Sequence, residues 1–241
     1  MDRFKLILVA IIVCIISCQK NSEEPPVNNE PDDCCMRYQV DIISTWNSQS
    51  PAWPDRDAHF SWLGGVNHND KVKFWEVGKL ASPGIDLMSV TGLTTDLISE
   101  IKLEIAKGNA QYIVDKRRWF CPDGISHSNC GSLSFEIAVT KDFPLVTLVS
   151  MLGPSPDWFI GTESLPMLNG NGAFISQIIY ELYPYDAGIL SDNSVIGADC
   201  CAREPLSVPQ EAIHLITAES GETIGPGSLG RIVFTALPTT N

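Results

Sequence analysis

Hydrophobic and polar residues alternate over much of this chain, and the alternation predicts strands. Leu133, Phe135, Ile137 and Val139 interleave with Ser134, Glu136, Ala138 and Thr140, the period-two pattern of a half-buried strand. Tyr38 to Trp46 alternates in the same way. Leu145 to Leu152 is apolar on both faces, as a central strand requires, and Phe174 to Tyr183 and Arg231 to Leu237 predict two more strands. The period changes once. Over Thr94 to Lys107 the residues Leu97, Ile98, Ile101 and Ile105 form one helical stripe. Thr94 or Thr95 is placed to cap it, Asp96 sits in the first turn, and Gly108-Asn109 ends it. Many strands, turn signals between them and one helix predict a mainly β, antiparallel β-sandwich with one covering α-helix.

The beginning of the chain obeys a different pattern. Arg3 and Lys5 precede eleven apolar residues, Leu6 to Ile16. That run is too short for a spanning helix, which needs about 20 residues, and it fits the apolar core of an export signal. Ile15-Ile16-Ser17-Cys18 resembles a bacterial lipobox, which would make residues 1–17 a lipoprotein signal peptide and Cys18 the lipidated residue. The alternative is an ordinary secretory signal with an incidental cysteine. Residues 18–33 carry Pro25, Pro26, Pro31 and five carboxylates, cannot bury a core, and read as a flexible acidic linker. Residues 34–241 are then the folded domain. The expected location is the bacterial outer membrane or cell surface, with the membrane reached through a lipid anchor.

Composition narrows the partners. A chain of 241 residues that is 44% hydrophobic can bury a full core. A formal charge of −13 argues against nucleic acid, which needs a basic face. Beyond Cys14 and Cys18, six cysteines remain: Cys34, Cys35, Cys121, Cys130, Cys200 and Cys201. Neighbouring Cα atoms lie about 3.8 Å apart, below the usual disulfide range, so vicinal bonds are strained. The expected pattern joins Cys34 and Cys35 to Cys200 and Cys201, and Cys121 to Cys130. A zinc site built from the two vicinal pairs lacks the usual CxxC spacing.

One stretch breaks the β pattern. In Gly153-Pro154-Ser155-Pro156-Asp157-Trp158-Phe159-Ile160-Gly161, two prolines exclude a ladder. The chain should leave its sheet here, hold Asp157 in a loop at the sandwich rim, and return with Trp158 and Phe159 buried. Ala58-His59-Phe60-Ser61, Phe74-Trp75, Gly78-Lys79-Leu80-Ala81-Ser82-Pro83-Gly84 and Leu182-Tyr183-Pro184-Tyr185-Asp186-Ala187-Gly188 accompany it. In this order, over about residues 38–237, the pieces resemble the spondin N-terminal domain shared by F-spondin and mindin. The resemblance implies a sandwich of the synaptotagmin type that binds calcium at one end, and contacts with extracellular matrix.

It also implies ligands. Family members look to bind calcium through the Asp of a Pro-Ser-Pro-Asp-Trp piece and two Asp of an Asp-Ala-Gly-Thr-Asp piece. Asp157 and Asp186 match the first two; Leu190 stands where the third is expected. Asp192 is the nearest substitute, and Glu136 is another acid that could face the rim. Alternate strands running the same way would bring both loops to one end, where paired carboxylates repel unless a cation or proton separates them. Calcium accepts such loop oxygens. The alternative is that Asp157 only caps its own loop. Asp55, Asp57 and His59 also alternate, but the His-Phe-Ser piece reads as structural.

The leading expectation is a non-catalytic, surface-tethered adhesion or ligand-binding module whose partner is a glycan or matrix protein. The competing one is an envelope hydrolase acting on glycans through Glu136, Asp157 and Asp186. Neither a His-Glu-x-x-His nor a Gly-x-Ser-x-Gly elbow occurs, and His59, His68, His127 and His214 are scattered along the chain.

Overall fold

Two sheets and a helix pair divide the apolar residues into two cores. The computed structural model describes residues 35–50, 58–122, 125, 130–131, 133–190 and 211–238. In chain order the elements are β1 (Cys35–Ser44), β2 (His59–Phe60), β3 (Leu63–His68), α1 (Pro83–Thr91), α2 (Thr95–Ala106), β4 (Ala110–Lys116), β5 (Trp119–Phe120), β6 (Cys130–Gly131), β7 (Leu133–Thr140) and β8 (Leu145–Gly153). They continue with β9 (Trp158–Pro166), β10 (Gln177–Leu182), β11 (Tyr185–Asp186), β12 (His214–Leu215) and β13 (Gly230–Ala236). The smaller sheet runs β10-β13-β1-β7, and the larger β12-β11-β9-β8-β2-β5-β6, with β3 between β8 and β4. Every pairing is antiparallel except β5 with β6.

Strand β8 shows how one sequence serves both cores. Val146, Leu148 and Leu152 face the smaller sheet and meet Tyr38, Val40, Phe135, Ile232 and Phe234. Val149 and Met151 point the other way, into a second core with Val66, Ile85, Met88, Leu97 and Ile101. The uninterrupted apolar run is the signature of a strand covered on both faces. Trp158 and Phe159 are likewise split between the two cores, and both are fully buried.

The expected single helix is a pair. Over α2 the stripe reads as anticipated, with Leu97, Ile98 and Ile101 buried. Helix α1 begins at Ser82-Pro83-Gly84, residues that look like a turn in isolation. Ser82 caps it by accepting from the Ile85 N–H, and Pro83 occupies the first turn, where its missing donor costs nothing. Glu100 of α2 accepts from the Ser82 hydroxyl at 2.8 Å and the Gly84 N–H at 2.7 Å. A Cβ on Gly84 would stand 2.6 Å from the Leu97 Cα, so this close helix contact requires glycine.

One expectation is corrected here. Glu136 does not approach the Asp157 end: it lies on β7, opposite Gln39, and pairs with Arg37 on the exposed face of the smaller sheet. Strand alternation that buries Phe135 and Val139 turns Glu136 outward. Cys35 has no disulfide partner among the described residues, and its expected partners Cys200 and Cys201 lie outside them. Among the described residues the other cysteine with a described side chain is Cys121, which is already disulfide-bonded. Cys18, Cys34, Cys200, Cys201 and the side chain of Cys130 lie outside the described residues.

Candidate metal centre

The Pro-rich stretch does leave the sheet, but it turns inward. Gly153 ends β8, its peptide bond to Pro154 is cis, and residues 153–157 are all buried. The Ser155 hydroxyl accepts from the Trp158 N–H at 3.1 Å and closes the turn into β9. A Cβ on Gly153 would collide with the His59 ring at 2.5 Å, and that ring stacks on Trp119 with centroids 3.8 Å apart. His59 thus packs as a wall of the loop; Asp55 and Asp57 lie outside the described residues.

Asp157 and Asp186 come together through strand pairing. Two-residue β11 lies against the start of β9, with Asp186 opposite Trp158 and Tyr185 opposite Phe159. Asp157, one residue earlier, therefore shares the turn that follows Asp186. Its Oδ2 accepts from the N–H of Ile189 at 2.6 Å and of Leu190 at 2.9 Å. Asp186 Oδ1 accepts from the Gly188 N–H at 2.7 Å, and its Oδ2 from the Trp158 indole at 3.2 Å. Both side chains are buried, Asp157 completely. The loop that carries Asp157 is therefore a buried one. Ala187 and Ile189, in the turn that follows Asp186, are both core residues.

Burial in low dielectric, reinforced by the Asp186 charge, pushes Asp157 up to about 7 against its two N–H donors. Burial raises Asp186 as well, against the Gly188 hydrogen bond and the His214 charge. Asp157 Oδ1 is buried and has no hydrogen-bond partner among the described residues. An orphaned carboxylate oxygen beside a second carboxylate fits a hard, oxygen-seeking cation in donor type. Leu190 contributes only its main chain, while its partly buried side chain packs on the helix-side core. Asp192 lies outside the described residues.

Two further residues join this end. In β12, His214 stands directly opposite Asp186. Its Nε2 lies 2.8 Å from Oε1 of Glu222, whose other oxygen is buried and unpartnered among the described residues. Asp186, His214 and Glu222 each offer a ligand atom within 4.8 Å of the others. Burial works against the charged imidazole, but the Glu222 hydrogen bond and the Asp186 charge outweigh it and raise His214. Glu222 is lowered: burial is opposed by donors from Ser220 and His214. Neither residue belongs to a motif singled out in the sequence. Their meeting depends on β11–β12 pairing, and the available signal was only a histidine in the apolar run Ile213-His214-Leu215-Ile216 with an acid in the next turn.

The Gly78-to-Gly84 motif pins this segment. Gly78 N–H donates to the Ile213 carbonyl, and Ile213 N–H donates to the Lys79 carbonyl, both at 2.8 Å. The glycosidase trio does not assemble, because Glu136 belongs to the smaller sheet.

Residues 36–224 match the family model described as Spondin_N. Spondin-1 of Gallus gallus is 26% identical over 214 residues, covering 83% of this chain and 25% of that protein. Human Spondin-1 is 25% identical over 208 residues with the same coverage. Spondin-2 of Rattus norvegicus is 28% identical over 190 residues, covering 76% of this chain and 53% of that protein. The chain thus spans a quarter of the Spondin-1 relatives and about half of Spondin-2.

Proposed function

The chain belongs to the spondin N-terminal family, and from that premise we propose that it is an exported, lipid-tethered, non-catalytic ligand-binding module stiffened by calcium at Asp157 and Asp186. The observation that carries the metal reading is the buried, unpartnered Asp157 Oδ1 next to a second buried carboxylate. A bound cation would neutralise that pair and fix the 186–190 turn. Asp192 is the remaining acid that could add an oxygen.

Tethering rests on the lipobox-like Ile15-Ile16-Ser17-Cys18 and on the acidic spacer after it. Among the described residues no helix is long and apolar enough to cross a membrane. A lipid on Cys18 would supply the attachment, and the spacer the reach. Extracellular glycan or matrix protein is the partner class suggested by kinship. The non-catalytic reading is supported by the depth of the acids: Asp157 is sealed from any polymeric substrate.

A glycan and matrix-protein array probed with the full-length chain, in calcium and then in chelator, tests this reading. Retention on particular spots that weakens in chelator is expected, without cleavage of the bound material. Turnover of arrayed glycans would overturn it.

A further inference from the structure

We propose that Asp186, His214 and Glu222 form a binding site for a borderline divalent cation of the zinc class. The inference stands apart from the calcium reading, although both use Asp186. Calcium prefers oxygen alone, whereas an imidazole nitrogen with carboxylates suits zinc, cobalt and nickel.

The geometry is close to that of a bound site. One ligand atom from each residue lies within 4.8 Å of the others. Two ligands on one tetrahedral zinc ion, each roughly 2.1 Å from it, stand about 3.4 Å apart. Metal binding would draw the more widely spaced of these side chains closer together.

The histidine is oriented for the task. Its Nδ1 lies 3.3 Å from the Ala212 carbonyl oxygen and its Nε2 2.8 Å from Glu222 Oε1, so a proton on either nitrogen finds an acceptor. With the proton on Nδ1, held by the Ala212 carbonyl, Nε2 is free to ligate a metal on the Glu222 side. At 2.8 Å the contact between Nε2 and Oε1 is a hydrogen bond, and a metal binding there would displace its proton and spread the two atoms apart. Backbone carbonyls that hold the far nitrogen of a ligating histidine are a regular feature of metal sites.

Glu222 gives an independent reason. It is 8% exposed, and its Oε2 is buried with no partner among the described residues. A half-satisfied buried carboxylate is costly, and a metal bond would satisfy it. The His214 side chain is 38% exposed and leaves an approach from solvent. The scaffold is fixed beforehand: Ile213 is tied to the 78–79 segment, Ile216 N–H donates to the Pro184 carbonyl at 3.0 Å, and Gly225 N–H to the Glu222 carbonyl at 3.3 Å.

The test uses full-length protein stripped by chelator and titrated with zinc alone by calorimetry, then with cobalt for its absorption spectrum. His214→Ala and Glu222→Gln should each weaken zinc binding by ~10-fold or more, while calcium still raises the unfolding temperature of both. Asp157→Asn should bind zinc as the parent does. Cobalt should show no thiolate charge-transfer band, which separates this site from the cysteines. Zinc binding unchanged in both His214→Ala and Glu222→Gln, or a strong thiolate band, would overturn the proposal. So would the absence of zinc binding by the parent. If His214→Ala unfolds, Glu222→Gln, nearly the same size as the parent residue, decides. A missing calcium response in the parent would remove the calcium reading and leave this one standing.

Discussion

Leu190 donates its backbone N–H to Asp157 Oδ2 at 2.9 Å. The residue whose side chain cannot hold a cation therefore still touches the carboxylate, through its main chain. Ile189 and Gly188 add donors to Asp157 and Asp186, so consecutive N–H dipoles face two buried acids. This cradle reduces the repulsion without removing it, since Asp157 remains pushed up to about 7.

Truncation and neutralisation of Asp157 should differ. Asp157→Ala leaves the Ile189 and Leu190 donors without their acceptor, at about 1–3 kcal/mol for each buried group. Asp157→Asn retains an amide oxygen for both and removes the charge. In chelator, thermal unfolding should place Asp157→Asn near the parent and Asp157→Ala well below it. Both should lose the rise in unfolding temperature that the proposed calcium site predicts for the parent. Equal losses in the two variants would mean that the cradle holds nothing.

Stability without metal should fall as pH rises. Asp157 moves from an ordinary 3.8 up to about 7 on folding, so between those values the folded state binds more protons than the unfolded one. The slope of unfolding free energy with pH is then negative, and it levels off above about 7. His214, raised on folding, adds stability that is present at low pH and lost as pH climbs through its folded value. Glu222 is lowered and has the opposite sign, but its contribution falls away only toward more acid conditions. Denaturant titrations in chelator across pH 5 to 8 should show the decline. Calcium should flatten it by taking the place of the proton, and a flat profile in chelator would contradict the buried-pair electrostatics.

Much of this architecture is written locally in the chain. The alternation of Leu133 to Thr140, the two-faced run of β8 and the stripe of α2 were all legible, because each depends on periodicity. The Asp157–Asp186 encounter was legible through the motifs, but its route was not. Parallel strand direction was expected to bring the loops together, whereas β11 lies directly on β9. Depth was also hidden, since the turn that carries the acids contributes Ala187 and Ile189 to the core. His214 and Glu222 were illegible because a two-residue strand pairing across a long sequence separation fixes them.

Helix α1 was missed because its first turn borrows partners from α2. Glu100→Ala should therefore destabilise a helix it does not belong to, removing acceptors from Ser82 and Gly84. A loss of about 1–3 kcal/mol is expected from the unpaired donors. Hydrogen exchange should quicken in residues 84–91 more than in α2. Faster exchange confined to α2 would show that α1 stands without this bond.

Gly188 links both halves of the candidate centre, and its replacement should fail in a recognisable way. Its φ is +69°, and a Cβ there would lie 2.3 Å from the Glu211 carbonyl oxygen. The Gly188 carbonyl also accepts from the Glu211 N–H at 2.8 Å, so this contact leads the chain toward β12. Alanine must either strain the left-handed backbone or push residue 211 away. In the second case His214 is drawn off Asp186, and the N–H donors of the 188–190 turn lose their aim. Gly188→Ala should cost about 1–3 kcal/mol and weaken the thermal response to both calcium and zinc. Gly170→Ala, where a Cβ meets nothing within 4 Å, should leave both responses intact. If the two variants unfold alike and respond alike, the 188–211 contact does not organise this end of the molecule.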